Sequence, residues 1–116
     1  ANNVVRFTGG IHEAATTVTS SSNATTVNLR TGTNFLHDLT EATTFTFSNP
    51  TASDELCGFT LFLTNGGSQT VNWPGSVDWA GGTAPTLTTS GLDILVFVTT
   101  DGGTIWHGMV SSADSK

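Results

Sequence analysis

The stretch Val71–Leu87, which reads VNWPGSVDWAGGTAPTL, decides the fold more than any other part of the chain. It holds two tryptophans, and chain-breaking residues follow each of them. Proline and glycine exclude helix here and impose turns with defined backbone angles. Because a tryptophan buries a large apolar area when it packs, each ring is expected to pin a corner of the chain to a core. The residues predicted to be structural in this way, with a third tryptophan further along, are Trp73, Pro74, Trp79, Gly81, Gly82, Pro85 and Trp106.

The composition of the whole chain is that of a β-protein. The 116 residues fit one compact domain and include 23 threonines and 13 glycines, whereas only 12 residues are charged. Threonine, valine and phenylalanine favour strands, and glycine supplies turns. The charged residues that cover exposed helices are scarce. The sequence therefore predicts an all-β domain.

Two pairs of strands are predicted in the second half of the chain. Gly58–Thr64 has apolar residues on both faces and is followed by the turn signal Asn-Gly-Gly-Ser, which predicts a hairpin with Gln69–Trp73. Asp93–Thr100 is nearly continuously apolar, so we expect it to lie centrally in a sheet. An Asp-Gly-Gly turn then leads back into Thr104–Val110, which predicts a second hairpin.

Upstream, Thr25–Arg30 and Thr43–Phe47 alternate in the manner of half-buried strands, with a turn and a short strand between them. Short strands separated by frequent turn signals are typical of sandwiches and barrels. We therefore predict a single antiparallel β-sandwich, jelly-roll-like, formed by residues 23–116.

Residues 1–22 differ from the rest and are predicted to form an extended N-terminal arm. Their apolar side chains are few, and those expected to serve in assembly are Val4, Val5, Phe7 and Ile11. Such an arm often lies across a neighbouring subunit, and the alternative is a frayed terminus. No apolar segment of a signal peptide is present, and the start at Ala1-Asn2 fits removal of an initiator methionine. We therefore expect a chain made in the cytoplasm.

The charge of the chain limits its partners. Nine acidic residues stand against Arg6, Arg30 and Lys116, which gives a net charge of −6. Nucleic-acid binding requires clustered basic residues, and attraction to an anionic membrane surface requires the same. We therefore expect neither nucleic acid nor membrane as a partner.

No catalytic, cofactor-binding or metal-binding residue is predicted. Cys57 is the only cysteine and is expected to be a small buried hydrophobe. The histidines share no ligand spacing, and His37-Asp38 would point to opposite faces of a strand. A hydrolase would need two convergent carboxylates, such as Asp78 and Asp101, but both are more easily explained as turn residues. The chain is therefore expected not to be an enzyme and to need no cofactor.

Three runs of sequence give the chain a resemblance to a known family. They are GFTLFLTNGG from Gly58, the stretch Val71–Leu87, and GLDILVFVTTDGGTIWHG from Gly91, and the upstream run FLHDLTEATTFTFSNP adds to the likeness. Together they resemble the β-module of tailed-bacteriophage virion surface proteins, such as the ends of tail fibres. The likeness covers about residues 27–108, and the order of the Trp-Pro, Trp-Ala-Gly-Gly and Asp-Gly-Gly elements carries it.

The resemblance implies a non-enzymatic structural protein on the surface of a phage particle. It implies a homotrimer and contacts with other virion proteins of the capsid or the tail. Two places on the virion are open: a capsid decoration (cement) protein, which the absence of a preceding attachment domain favours, or a fibre-like knob, which the likeness favours. A third alternative is a tail-fibre receptor-binding or carbohydrate-binding module, in which the tryptophans would stack on a host surface glycan.

Overall fold

The computed structural model describes residues 4–116, and its strands confirm that the chain is mostly β. Residues 4–116 contain no α-helix and one short 3₁₀ turn, Ala80–Gly82. The strands are β1 (Thr16–Thr17), β2 (Ala24–Asn28), β3 (Asn34–Asp38), β4 (Thr43–Ser48), β5 (Ser53–Thr64), β6 (Val71–Asn72), β7 (Val77–Trp79), β8 (Leu92–Asp101) and β9 (Trp106–Ser112).

The strands form two sheets, between which the first part of the chain alternates. The larger sheet has the order β1-β3-β5-β8-β9-β7, and the smaller has the order β2-β4-β6. From β1 to β6 each successive strand lies in the other sheet and pairs in parallel with the strand two places before it. The chain thus makes three circuits before β8 and β9 extend the larger sheet.

The predicted antiparallel arrangement is wrong for most of the strand pairs. Five pairs are parallel, and only β5–β8 and β8–β9 are antiparallel. The hairpin expected between Gly58–Thr64 and Gln69–Trp73 is absent, because β5 pairs with β3 and β8 whereas β6 crosses to the smaller sheet and pairs with β4. The second predicted hairpin is confirmed as β8–β9.

Side chains of both sheets contribute to one core. Its largest fully buried side chains are aromatic, and they come from both sheets: Trp106, Phe35, Phe45 and Phe97. Phe47 of the smaller sheet contacts Phe59 and Phe97 of the larger sheet, with ring centroids 4.8 and 4.9 Å apart. Cys57 is buried in the same core, as predicted. Aromatic contacts of this kind contribute about 0.5–1.5 kcal/mol beyond the area they bury.

The last part of the predicted arm is built into the larger sheet. Thr16 and Thr17 form β1, and the Val18 N–H donates to Leu36 O at 2.9 Å. The side chain of Val18 packs against the core. Residues 4–15 lie outside any strand, and residues 1–3 of the predicted arm lie outside the described residues. The division of the chain at residue 22 into an arm and a domain stays a prediction.

Candidate assembly surfaces

The tryptophan corner packs on the core rather than standing away from it. Trp73 stacks on Phe45 with centroids 5.0 Å apart and an interplanar angle of 16°. Trp79 contacts Trp73 edge to face at 5.5 Å and Phe97 at 5.5 Å. Trp73 and Trp79 are half-buried, and Trp106 is buried. One face of Trp73 is therefore taken up by Phe45 and is closed to a ligand.

The backbone of the corner needs glycine at two successive positions. Trp79 ends β7, and Gly81 and Gly82 then take φ values of 67° and 77°. A residue with a Cβ atom is strained in this left-handed region. Pro74 begins the turn before β7, since its carbonyl accepts the Val77 N–H at 3.0 Å. Pro85 follows in an extended loop that leads back to β8. These residues lead the chain from β6 in the smaller sheet to β7 at the edge of the larger sheet, and then on to β8.

His37 ties the first circuit of the chain to the second. Its side chain is buried, whereas Asp38 is exposed on the opposite face, as strand alternation requires. The Nδ1 atom lies 2.7 Å from the carbonyl oxygen of Val18, to which it donates as the protonated ring nitrogen. Nε2 is buried without a hydrogen-bond partner within residues 4–116. The hydrogen bond to Val18 and an edge-to-face contact with Phe45, with ring centroids 5.7 Å apart, together fix the position of the ring.

Asp93, the first residue of the predicted strand Asp93–Thr100, is a buried carboxylate. It is 1% exposed and accepts hydrogen bonds from the Thr88 N–H, the Thr88 hydroxyl and the Asp114 N–H, at 2.7, 2.7 and 2.9 Å. Burial by itself raises the pKa of Asp93, but the three donors together lower it below its ordinary value of 3.8. Asp93 thus fastens the loop before β8 and the chain after β9 to the core. An acidic residue within an apolar run, with a threonine five residues before it, is the sequence pattern that could have predicted this role of Asp93.

Asp101 organises the turn between β8 and β9, as predicted. Its Oδ1 accepts the Ile105 N–H at 3.0 Å and the Thr99 hydroxyl at 2.9 Å. The pKa of Asp101 is lowered chiefly by the Ile105 N–H and then by the Thr99 hydroxyl. The predicted turn role of Asp78 differs from what is observed, because Asp78 lies in the middle of β7, exposed and in register with His107.

The acidic residues considered for hydrolysis do not converge. Asp78 is in register with His107, and His107 with Val98, so Asp78 lies two strands across and three residues along from Asp101, a separation of about 14 Å. Paired catalytic carboxylates of glycosidases lie only about 5–10 Å apart. Within residues 4–116, no three His, Cys, Asp or Glu side chains come close enough together to hold a metal ion. No helix in this part of the chain is long and apolar enough to cross a membrane.

The N-terminal residues present apolar side chains to solvent. Val4, Val5, Phe7 and Ile11 are 77, 78, 67 and 65% exposed. Exposed apolar residues are ordinary when scattered, but four within eight residues form a concentrated surface. Glu13 anchors the end of this segment, since its Oε2 accepts the Asn34 side-chain amide at 2.8 Å. We call residues 4–12 the arm from here on.

The outer face of the larger sheet, which points away from the core, is also apolar. Leu36, Phe62 and Ile94 lie in one row across β3, β5 and β8. Val96 and Met109 are paired in the next row, and all five side chains are partly or largely exposed. At one end of this face lies a groove of about 350 Å³, lined by Thr17, Leu36, His37, Asp38, Phe62, Thr64 and Leu92. We call it the β3–β8 groove.

Comparison of the chain with protein-family models, with curated proteins and with solved structures finds no match to any of them. The likeness to phage surface proteins therefore rests on the sequence runs quoted above.

Proposed function

We propose that this chain is a non-enzymatic structural protein on the surface of a tailed-bacteriophage particle, acting through protein–protein assembly as a capsid decoration protein or a fibre-like knob. The observation that carries the proposal is the pair of exposed apolar surfaces, the arm and the outer face of the larger sheet. Apolar surfaces of this extent on a small domain are typical of interaction sites. In this proposal the chain is made in the host cytoplasm and becomes part of the virion.

The hydrogen bonds of Asp93, Asp101 and His37 support assembly rather than catalysis. The carboxylates of Asp93 and Asp101 accept hydrogen bonds from backbone N–H groups and threonine hydroxyls of the chain itself. His37 donates to the main-chain carbonyl of Val18, the residue that follows β1. Each of these groups stabilises a turn or joins two strands, which is what a structural protein requires of polar residues.

The fold of the proposed virion protein is a two-layered sandwich in which the two sheets face one another. The contacts of Phe47 with Phe59 and Phe97 across the core support this arrangement. The three parallel circuits depart from the antiparallel strand order of a jelly roll. A jelly-roll order is therefore not part of the proposal.

The second candidate function is a tail-fibre receptor-binding or carbohydrate-binding module. The observation that favours it is that Trp73 and Trp79 are in contact and keep part of their surface exposed. Against it, the two rings meet at 65° rather than side by side in one plane, and Phe45 covers one face of Trp73. The geometry therefore supports a structural role for the rings better than a flat platform for a host glycan.

A cryo-EM map of phage particles that carry this chain tests the proposal. Regular density of the domain on the capsid shell supports decoration, and density at the end of a tail fibre supports the knob. A chain that is made during infection but is missing from purified particles would overturn both. Binding of the purified protein to a glycan array, lost on Trp73→Ala without loss of folding, would instead favour the carbohydrate-binding module.

A further inference from the structure

The β3–β8 groove has the chemistry of a site for an apolar peptide with one basic residue. Leu36, Phe62 and Leu92 provide apolar walls, and Asp38 places a carboxylate at the rim. Asp38 is exposed and accepts no hydrogen bond from a side chain within residues 4–116. A complementary ligand would therefore bring an apolar side chain and a cation next to each other.

The arm of this same chain has that composition. Its sequence from Val4 reads VVRFTGGIH, so Arg6 stands between the exposed apolar residues Val5 and Phe7. The arm contains one basic side chain and no acid, whereas residues 13–116 carry all nine acids and the other two basic residues, a net charge of −7. The arm is thus apolar and positively charged, whereas residues 13–116 are acidic. Complementary charges favour association of the arm with this acidic part of the chain.

Addition of a strand at the β2 edge of the smaller sheet is a poor alternative for the arm. At that edge, β2 is closed at both ends by turns: the N–H and C=O of Ala24 are bonded to Ser21. The carbonyl of Asn28 accepts both the N–H and the hydroxyl of Thr31. Short or occupied edges discourage strand pairing. The apolar groove is therefore a better binding site for the arm than the edge of β2 is.

The direction of the chain points to the groove of another copy. Because β1 runs parallel to β3, the chain before β1 leaves the sheet beside the start of β3, where Glu13 is bonded to Asn34. The groove lies at the other end of β3, beside Asp38, about 13 Å further along the strand. The arm of one molecule therefore leads away from its own groove.

We propose that the arm of one copy occupies the β3–β8 groove of a second copy, with Phe7 and Val5 against Leu36 and Phe62 and with the Arg6 guanidinium paired to the Asp38 carboxylate. Each chain then gives one arm and receives one. Such a head-to-tail contact closes into a ring when the rotation between copies allows it. A ring of three copies would match the homotrimer that the resemblance to phage surface proteins implies. The inference deepens the assembly role of that proposed function and rests on it for its biological setting.

Light scattering of the purified chain coupled to size exclusion tests the contact. We expect wild type to show a mass that rises with concentration toward three chains. Phe7→Ala should weaken association at least tenfold, and because Phe7 is exposed in the single chain, folding should not change. Arg6→Asp and Asp38→Arg should each weaken association, and the double variant should regain most of it. Arg30→Asp, which makes the same charge change on an exposed residue outside the arm, is the matched control.

Mixing two defective variants shows whether the arm acts between copies. The Phe7→Ala variant has an intact groove and an arm that cannot bind, whereas the Leu36→Glu variant has an intact arm and a groove that cannot receive one. Each should be monomeric alone, and an equimolar mixture should form a species of two chains. Circular dichroism verifies that both remain folded.

Three results would overturn the inference: a monomeric wild type at all concentrations, association unchanged by Phe7→Ala, or a mixture that stays monomeric while wild type associates. A chain that fails these tests but is found on virions leaves the proposed function standing. A chain that passes them but is missing from virions overturns only the proposed function.

Discussion

Gly108 lies beneath the ring of Trp79. The two residues are in register across the parallel pair β7–β9, and a Cβ atom placed on Gly108 would approach Trp79 Cζ3 to 2.8 Å. The absence of a side chain at residue 108 is therefore what allows the ring to lie over the neighbouring strand and to contact Phe97. An aromatic side chain covering a glycine on a neighbouring strand is a recognised means of fixing strand register.

The first prediction is that Gly108→Ala displaces Trp79 and lowers the free energy of unfolding by roughly 1–3 kcal/mol, the usual cost of overpacking. Urea denaturation measured by tryptophan fluorescence gives the change in stability and in the environment of the ring. Gly75→Ala is the matched control, because a Cβ atom at Gly75 meets nothing within 4 Å. Equal stability of the two variants would show that Trp79 moves aside without cost.

The second prediction concerns the two half-buried rings. Truncation of a core tryptophan costs about 3–5 kcal/mol, and partial exposure places Trp73→Ala and Trp79→Ala near the lower end of that range. Trp73→Ala removes the stacking on Phe45 as well as the contact with Trp79. It should therefore be at least as destabilising as Trp79→Ala in chemical denaturation. Wild-type stability in both variants, together with lost glycan binding, would contradict the structural role.

The sequence predicts which residues face the core better than it predicts which strands are neighbours. Alternation places Phe59, Leu61 and Leu63 on one face of β5, and all three are buried. Alternation is the same in parallel and antiparallel sheets, so it cannot distinguish a hairpin from a crossing to another sheet. The turn signal after Thr64 therefore predicts a hairpin, whereas the structure pairs β6 with β4.

The candidate surfaces could be predicted only in part. The apolar arm residues are visible in the sequence, because they stand in a segment too poor in apolar side chains to form a core of its own. The groove could not be found in this way, since Leu36, Phe62 and Leu92 become neighbours only through the pairing of β3, β5 and β8. The hydrogen bond from His37 to Val18 depends on the same long-range pairing.

The third prediction is a loss of stability in acid that depends on Asp93. Its pKa is lowered in the folded chain, because the donors from Thr88 and Asp114 outweigh burial, which acts in the opposite direction. The folded state then binds this proton less readily than the unfolded state. The resulting stabilisation is present above the ordinary pKa of 3.8 and is lost as pH falls through the lower folded pKa.

Asp93→Asn should remove this contribution and cost about 1–3 kcal/mol at neutral pH, because one donor loses a charged acceptor. Thermal denaturation between pH 2 and 7 should show a shallower acid limb for the variant than for wild type. Asp114→Asn is the matched control, since only the backbone N–H of residue 114 contacts Asp93. Parallel pH profiles for wild type and Asp93→Asn would contradict the assignment.

The last prediction concerns where the N-terminal arm ends. Removal of residues 1–12 deletes the exposed apolar side chains and should leave the thermal midpoint nearly unchanged, because residues 4–12 are all exposed. Removal of residues 1–22 also deletes β1 and the packed side chain of Val18. It takes away the Val18 carbonyl that accepts from His37, which leaves a second buried nitrogen of that ring without a partner. An unsatisfied buried polar group costs about 1–3 kcal/mol. The longer truncation should therefore lower the midpoint by several degrees, a shift of about 4–8 °C for each kcal/mol in a domain of this size.

Equal midpoints for the two truncated chains would place the boundary at residue 22, as the sequence alone predicts, whereas a fall already on removal of residues 1–12 would show that the arm packs on its own domain.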